Sequence, residues 1–193
     1  MSLDIDSATG LIRQARQVAS VNYDARPNDC APELIVVHAI SLPPGEYGGP
    51  WIDHLFSNTI DPTKHPYFAE IADLRVSAHV LIRRDGELVQ YVPLDQRAWH
   101  AGDSCHDGRD ACNDYSIGIE LEGDDDTPFS DAQYEKLSEL CVVLEQTFPG
   151  IRYDRIVGHC DIAPERKTDP GPNFDWPRLS ALLGNSAGSK VLG

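Results

Sequence analysis

The chain has 193 residues, a length that suits one well-buried core and is short for two independent domains. Its 31 acidic and 16 basic residues give a formal net charge of −15, whereas proteins that bind nucleic acids or anionic membranes usually present a basic face. Composition therefore favours a single domain over residues 1–193 and argues against nucleic acid or a membrane surface as a partner.

The N-terminal segment carries two separate signals. Residues 1–6 contain acids where a signal peptide would have a basic region followed by an apolar core, so we expect no export. The apolar residues between Ser7 and Ala19 lie near helical spacing, which predicts a short helix there. No window approaches the roughly 18 consecutive apolar residues that a membrane span needs.

The five cysteines indicate a reducing compartment. Their number is odd, they include no CxxC pair, and one falls inside a predicted helix, which is typical of reduced thiols. We therefore expect a cytoplasmic protein without an obligate protein partner.

The first half of the chain predicts a buried strand, a short helix and a hairpin. Leu34 to Ile40 is a continuous apolar run, typical of a central strand covered on both faces. A loop rich in proline and glycine follows, and Trp51 to Asn58 predicts a short helix. Val76 to Arg83 and Glu87 to Val92 flank an Asp-Gly turn and predict a hairpin.

The second half alternates strands with helices. Ser116 to Leu121 and Ile156 to Gly158 read as strands, and a capping box at Ser130 to Gln133 predicts a long helix toward Phe148. Asp175 is predicted to cap a last helix that ends before Gly184, with a flexible tail over residues 185–193. The predicted fold class is α/β (α+β), a central mixed sheet flanked by helices.

Histidines and an aspartate at the ends of two strands are candidates for a zinc site. A catalytic zinc takes three protein ligands and leaves one position open. His38 lies near the end of the first buried strand and His159 follows Gly158. Asp169 and Asp161 remain equal candidates for the third ligand by spacing, whereas alternation along an extended segment would turn Cys160 away from His159.

Other candidates surround this site, with open alternatives. Glu120 and Glu122 share one face of their strand with Gly118, and either acid suits a catalytic role or plain decoration of an edge strand. His79 is as consistent with a buried structural histidine as with a functional one, and His100, beside Trp99, favours a substrate wall. The remaining histidines, in polar segments, favour the surface; they are His54, His65 and His106.

Cations gathered locally would let this acidic chain handle an acidic substrate. Arg75, Arg166 and Lys167 are the candidates for such a cluster. Lysines in loops are usually solvated, so a role for Lys167 depends on the neighbouring His159 and Asp169.

Taken together, these segments resemble the AmpD-type N-acetylmuramoyl-L-alanine amidases, whose zinc fold is shared with peptidoglycan-recognition proteins. The resemblance runs from Tyr23 through Trp176, and its most specific block is Gly158-His159 through Gly171. The other blocks are Val36-Val37-His38, Ser41-Leu42-Pro43-Pro44-Gly45, His65-Pro66-Tyr67-Phe68, Val76-Ser77-Ala78-His79, Trp99-His100-Ala101-Gly102 and Ile117-Gly118-Ile119-Glu120-Leu121-Glu122-Gly123.

The resemblance implies a site and a reaction. His38, His159 and Asp169 would bind one Zn²⁺, while Glu120 and Lys167 would perform catalysis. The implied substrate is a small cytosolic 1,6-anhydro-N-acetylmuramyl peptide, cleaved between the lactyl group and L-alanine in peptidoglycan recycling. Clearing such muropeptides would also damp the signal that induces β-lactamase in many Gram-negative bacteria.

Two positions depart from the family pattern. Ala39 stands where members commonly have Asn, which predicts a lost polar contact with substrate and not a lost metal. Ala111 replaces an arginine of some members and leaves recognition of the peptide's carboxylates open. With Arg75 and His100, Ala39 completes the predicted substrate-binding set.

Two rival functions share the fold. A non-catalytic muropeptide-binding module would lack the chemistry, although the chain retains all three implied ligands. A phage-type amidase would act on intact cell wall, but the sequence shows no wall-binding repeat.

Overall fold

The computed structural model describes residues 3–27 and 30–188. The strands are β1 (Ile5–Asp6), β2 (Leu11–Ile12), β3 (Arg16–Gln17), β4 (Tyr23–Asp24), β5 (Leu34–Ile40), β6 (Val80–Ile82), β7 (Leu88–Gln90), β8 (Arg97–Ala98), β9 (Cys105–His106), β10 (Arg109–Asp110), β11 (Ser116–Glu122) and β12 (Ile156–Gly158). The helices are α1 (Trp51–Phe56), α2 (Pro66–Ile71), α3 (Asp131–Thr147), α4 (His159–Ile162) and α5 (Trp176–Gly188).

Six strands form the central sheet, in the order β12-β5-β11-β6-β7-β3. Strands β6 and β7 pair antiparallel, and every other neighbouring pair in this sheet is parallel. The sheet is therefore mixed and flanked by helices, as predicted, and the fold class is confirmed.

The two central strands bring candidate residues side by side. β5 and β11 are parallel and in register, so His38 lies directly opposite Glu120. Neighbouring strands lie about 4.8 Å apart, and side chains in register project from the same face. His38 and Glu120 therefore share one face at the carboxyl ends of their strands.

The two faces of the sheet have different coverings. Ile117, Ile119 and Leu121 pack under α3 and α5 in the largest apolar cluster. On the opposite face, α1 and α2 cover Leu81 and Val89. This second face leaves the ends of β5 and β11 open, and the cleft lies there.

Most predicted elements are confirmed. The capping box is present, since the Ser130 hydroxyl accepts from the Gln133 amide and the Gln133 side chain accepts from the Ser130 amide. The carboxylate of Asp175 accepts from the Arg178 amide at the start of α5. The hairpin forms as β6 and β7 around the predicted Asp-Gly turn.

The predicted N-terminal helix over Ser7 to Ala19 is wrong. Two two-residue strands, β2 and β3, lie in this region, and the chain turns sharply at Gly10, whose φ of +67° lies in the left-handed region. A Cβ at Gly10 would lie 2.6 Å from a carboxylate oxygen of Asp95. The apolar residues at helical spacing instead pack from short extended segments, and Val18 donates to the Gln90 carbonyl.

The last helix extends beyond its predicted end. α5 passes through Gly184 and continues to Gly188. Residues 189–193 of the predicted tail lie outside the described residues. Among the helices of the described chain, none combines the length and apolarity that crossing a membrane would demand.

Candidate metal centre and active-site cleft

A cleft of about 650 Å³ opens at the carboxyl ends of β5 and β11. His38 and Ala39 come from β5 and Glu120 from β11, while Lys167 and Asp169 come from the loop after α4. Apolar and aromatic side chains form its far wall; they include Leu42, Leu55, Phe56, Tyr67, Ile71, Leu74, Val76 and Trp99.

Three candidate ligands converge at one end of the cleft. The Nδ1 atoms of His38 and His159 lie 2.9 Å apart. Oδ2 of Asp169 lies 3.2 Å from Nδ1 of His38 and 3.1 Å from Nδ1 of His159. A tetrahedral zinc with bonds of about 2.0–2.2 Å would separate its ligand atoms by about 3.3 Å. These three atoms therefore have the spacing of one zinc-binding set.

The far nitrogens of both rings are hydrogen-bonded on the protein side. Nε2 of His159 faces the Ala101 carbonyl at 3.3 Å, and a carbonyl can only accept. Nε2 of His38 lies 2.9 Å from Nδ1 of His100. Burial lowers the pKa of His38 to about 4, so its ring is neutral near pH 7.

Neutral rings that carry their protons on Nε2 present bare lone pairs at Nδ1. With both rings in this tautomer, two such lone pairs and one carboxylate oxygen would meet in a buried space with no proton between them. This arrangement is electrostatically unfavourable unless a cation lies among the three atoms. The donor set, two imidazoles and one carboxylate, suits Zn²⁺.

The loop between β12 and α5 brings His159 and Asp169 together. The prediction that His159 and Cys160 lie in an extended segment is wrong, because the backbone turns into α4 at His159. Strand alternation is therefore not what separates their side chains. The Cys160 amide donates to the Asp169 carbonyl at 2.9 Å, which folds the loop back on itself. Asp161 accepts from the Gly158 amide at 2.7 Å and so holds the turn.

Glu120 and Glu122 have different surroundings despite sharing one strand face. Glu122 is 2% exposed and receives hydrogen bonds from Nη1 of Arg83 and from the amides of Gly48 and Arg84. Glu120 is also buried, and its Oε2 has no hydrogen-bond partner among the described residues. The structure therefore gives Glu122 a full set of partners and leaves Glu120 free toward the cleft.

The electrostatics of Glu120 come from burial and two neighbours. Burial, followed by the nearby charge of Asp169, raises the pKa of Glu120 well above its usual range, and Lys167 acts in the opposite direction. Lys167 is half-buried and lines the same cleft. A buried carboxyl group and a cation thus line the same cleft as the candidate metal centre.

His79 and His100 lie behind the metal centre. His79 is fully buried, accepts from the Gly118 amide at Nδ1 and faces the Gln96 carbonyl at Nε2, which is a structural arrangement. Burial lowers its pKa to about 3. His100 lines the cleft, but His38 and Ser116 engage both of its ring nitrogens.

Gly118 provides the space for the His100 ring. A Cβ at Gly118 would lie 2.4 Å from Cγ of His100. A side chain of the protein itself therefore fills the space beside Gly118. The sequence does not single out Ser116 and Asn113, because isolated polar residues carry no pattern that marks a second layer around a metal.

The remaining predicted residues are spread around the cleft. Ala39 is half-buried and lines it, so its predicted place in the substrate-binding set stays a prediction that this position allows. Arg75 is exposed and donates to the carbonyls of Ala72 and Leu74, outside the cleft lining. Arg166 donates to the Ala101 and Asp103 carbonyls, so it braces the loop beside the cleft.

Among the other residues singled out, Ala111 lies outside the cleft lining. It has a left-handed φ of 58° and precedes a 3₁₀ turn over Cys112–Asp114. His65 caps α2 through Nδ1. Within the described part of the chain, His38, His159 and Asp169 form the grouping that could hold a metal.

Comparisons with known proteins agree with this geometry. The N-acetylmuramoyl-L-alanine amidase family matches residues 28–172. The 1,6-anhydro-N-acetylmuramyl-L-alanine amidase AmpD of Salmonella typhimurium strain SL1344 is 62% identical over 178 residues, covering 92% of this chain and 95% of that protein. The AmpD of Escherichia coli K12 is 62% identical over 174 residues, covering 90% and 94%.

Solved structures support the same relationship. A selenomethionine AmpD crystal structure superposes with a TM-score of 0.90 at 61% identity and covers 93% of this chain and 99% of that one. The Escherichia coli amidase AmiD, solved with anhydro-N-acetylmuramic acid-L-Ala-D-γ-Glu-L-Lys, gives a TM-score of 0.56 at 27% identity over 94% and 65%. The chain therefore belongs to the N-acetylmuramoyl-L-alanine amidase family, as an AmpD-type enzyme.

Proposed function

We propose that this enzyme is zinc-dependent and hydrolyses the amide between the lactyl group of 1,6-anhydro-N-acetylmuramic acid and L-alanine in small muropeptides. The observation that carries the proposal is the convergence of two imidazole nitrogens and one carboxylate oxygen in the cleft that Glu120 also lines, where Oε2 of Glu120 has no hydrogen-bond partner among the described residues. The names of the AmpD relatives and the ligand bound to AmiD support the substrate class.

The proposed roles follow from where each side chain lies. His38, His159 and Asp169 would hold the ion; when bound, Zn²⁺ supplies Lewis-acid chemistry that polarises a carbonyl and acidifies water. Glu120 would take a proton from the attacking water and later deliver one to the departing alanine nitrogen. Its raised pKa suits a group that must both accept and return a proton.

Lys167 would act on the developing negative charge. It lines the cleft on the same loop as Asp169, and its charge is felt at both Glu120 and His38. A fixed cation aimed at an oxyanion is most effective in a partly dehydrated cleft, where the dielectric screening is weak. The apolar far wall supplies such surroundings.

The proposal extends to location and partners. All five cysteines are free, which favours a reducing compartment, and we propose the cytoplasm. The substrate would be a small soluble muropeptide, with no nucleic acid, membrane or obligate protein partner. Its removal would place the enzyme in peptidoglycan recycling and damp the induction of β-lactamase.

The test is mass-spectrometric detection of free peptide released from an anhydromuropeptide. We expect release by the zinc-loaded enzyme, loss of release after a chelator, and recovery when zinc is restored. Binding without release would favour the non-catalytic muropeptide module. Faster release from intact sacculi than from the small muropeptide would favour the phage-type amidase.

A further inference from the structure

The two candidate histidine ligands are supported from behind by one short segment. His100 contacts His38 through its side chain, and Ala101, the next residue, contacts His159 through its carbonyl. Asn113 fixes this segment, since its Oδ1 accepts from the amides of both His100 and Ala101, at 3.1 and 2.8 Å. Both ligand rings therefore depend on the placement of two consecutive residues.

A chain of hydrogen bonds runs from His38 to the Cys112 carbonyl, which can only accept. Nε2 of His38 lies 2.9 Å from Nδ1 of His100, and Nε2 of His100 lies 3.1 Å from Oγ of Ser116. The Ser116 hydroxyl donates to the Cys112 carbonyl at 2.6 Å. Because that carbonyl can only accept, it determines the direction of every preceding bond.

The direction can be followed back to the metal centre. The Ser116 hydroxyl donates its hydrogen bond to the Cys112 carbonyl, so the Ser116 oxygen accepts a hydrogen bond from Nε2–H of His100. A neutral His100 then has a bare Nδ1, which accepts the proton on Nε2 of His38. His38 is left with a bare Nδ1, the atom that faces His159 and Asp169. The chain therefore selects the tautomer of His38 that can bind a metal.

We propose that His100 and Ser116 are positioning residues that fix the tautomer and orientation of His38. The Ala101 carbonyl has the same effect on His159. Gly118 belongs to this device, because a side chain there would occupy the space of the His100 ring. Outer hydrogen bonds of this kind hold metal-binding histidines in place, and their loss commonly weakens metal affinity by about 10–100-fold. The proposal rests on the proposed zinc-dependent function.

The first test measures zinc affinity by competition with a chromophoric chelator. His100→Leu removes the acceptor at similar size, and we expect zinc affinity to fall by about 10–100-fold. His100→Asn places an oxygen near the original Nδ1 and should recover most of that loss. Ser116→Ala should weaken zinc binding less than His100→Leu. Ser138→Ala, which removes a buried hydroxyl bonded to the Glu135 carbonyl in α3, is the matched control and should bind zinc normally.

The second test needs no zinc. Long-range ¹H–¹⁵N spectra of the metal-free protein report which ring nitrogen of each histidine carries the proton. We expect His100 and His38 as Nε2–H tautomers in the wild type, and a mixture for His100 in Ser116→Ala, which should fold because it changes little volume.

The two tests distinguish a failure of the positioning role from a failure of the proposed zinc-dependent function. A wild-type His100 protonated on Nδ1, or unchanged zinc affinity in folded Ser116→Ala and His100→Leu, would overturn the positioning role. Equal losses in His100→Asn and His100→Leu would also overturn it, because a role in packing alone predicts no rescue by the acceptor. A wild type that binds no zinc contradicts the proposed function, while the tautomers still decide the positioning role.

Discussion

The two glutamates of β11 illustrate what a single side chain's surroundings decide. Glu120 and Glu122 are two residues apart on one face, and alternation alone cannot distinguish them. Glu122 faces a buried arginine, whereas Glu120 lies in register with His38, and its Oε2 has no partner in the part of the chain that the structure describes. The difference in their surroundings comes from residues on other strands and loops, which no local pattern contains.

Replacing Glu120 should separate chemistry from metal binding. Glu120→Gln keeps the size of the side chain but cannot take a proton from water, so we expect turnover to fall by about 10²–10⁴-fold. Zinc content, measured by elemental analysis, should stay at the wild-type level because Glu120 is not in the ligand set. Glu165→Gln, an exposed glutamate of the neighbouring loop, is the control and should leave turnover unchanged. Near-normal turnover in Glu120→Gln would remove the proposed proton acceptor.

Ala39 is a second position where one side chain should affect catalytic efficiency. It lines the cleft next to His38 and offers the substrate no polar group. Ala39→Asn should add about one hydrogen bond, equivalent to about 0.5–1.5 kcal/mol, and so raise kcat/KM by about 2–10-fold. Steady-state kinetics on an anhydromuropeptide measures this, with Ala39→Val as the control that fills space without polarity. Equal values of kcat/KM for Ala39→Asn and Ala39→Val would show that a polar group at this position does not improve catalysis.

The sequence predicts those strands and helices that apolar periodicity and capping residues encode. The buried strand over Leu34 to Ile40, the hairpin and the capped helix α3 follow from apolar runs, an Asp-Gly turn and a capping box. The N-terminal segment fails because its apolar spacing mimics a helix, while the turn at Gly10 and pairing with β7 override it. The relative placement of β5 and β11, which creates the site, is a long-range register that no local signal gives.

A cluster of charged side chains joins the hairpin to β11 and α1. Arg83 of the hairpin joins Glu122 of β11 at 2.9 Å and Asp53 of α1 at 3.6 Å, with Arg83 and Glu122 both buried. Arg83→Met leaves the Glu122 charge buried without its partner, and we expect a loss of about 3–5 kcal/mol in the free energy of unfolding. Urea unfolding followed by circular dichroism measures it.

Two further variants check this cluster. Glu122→Gln in the Arg83→Met background removes the stranded charge and should restore part of the stability. Arg152→Met breaks an exposed pair with Asp154 and should cause no measurable change. If Arg83→Met were as stable as Arg152→Met, the buried pair would contribute nothing to the joining of the hairpin, β11 and α1.

At the scale of the whole molecule, the metal centre joins distant parts of the chain. His38 comes from a central strand, while His159 begins α4 and Asp169 lies in the loop after it, both more than one hundred residues later. Because two imidazole nitrogens and one carboxylate oxygen converge there, a cation bound among them would stabilise the folded chain. A ligand that binds only the folded state stabilises it by mass action, by about 4 kcal/mol at a concentration 1,000 times Kd.

Removal of zinc should therefore lower the melting temperature of the entire protein. For a chain of this size, a loss of about 4 kcal/mol corresponds to a fall of about 8–16 °C. Calorimetry after dialysis against a chelator, followed by titration with zinc, measures the shift, and Tm should rise with the free zinc concentration. Asp169→Ala, which lacks one ligand, should show a much smaller dependence on zinc. A wild-type Tm that ignores zinc at every concentration would mean that the converging side chains hold no ion that stabilises the fold.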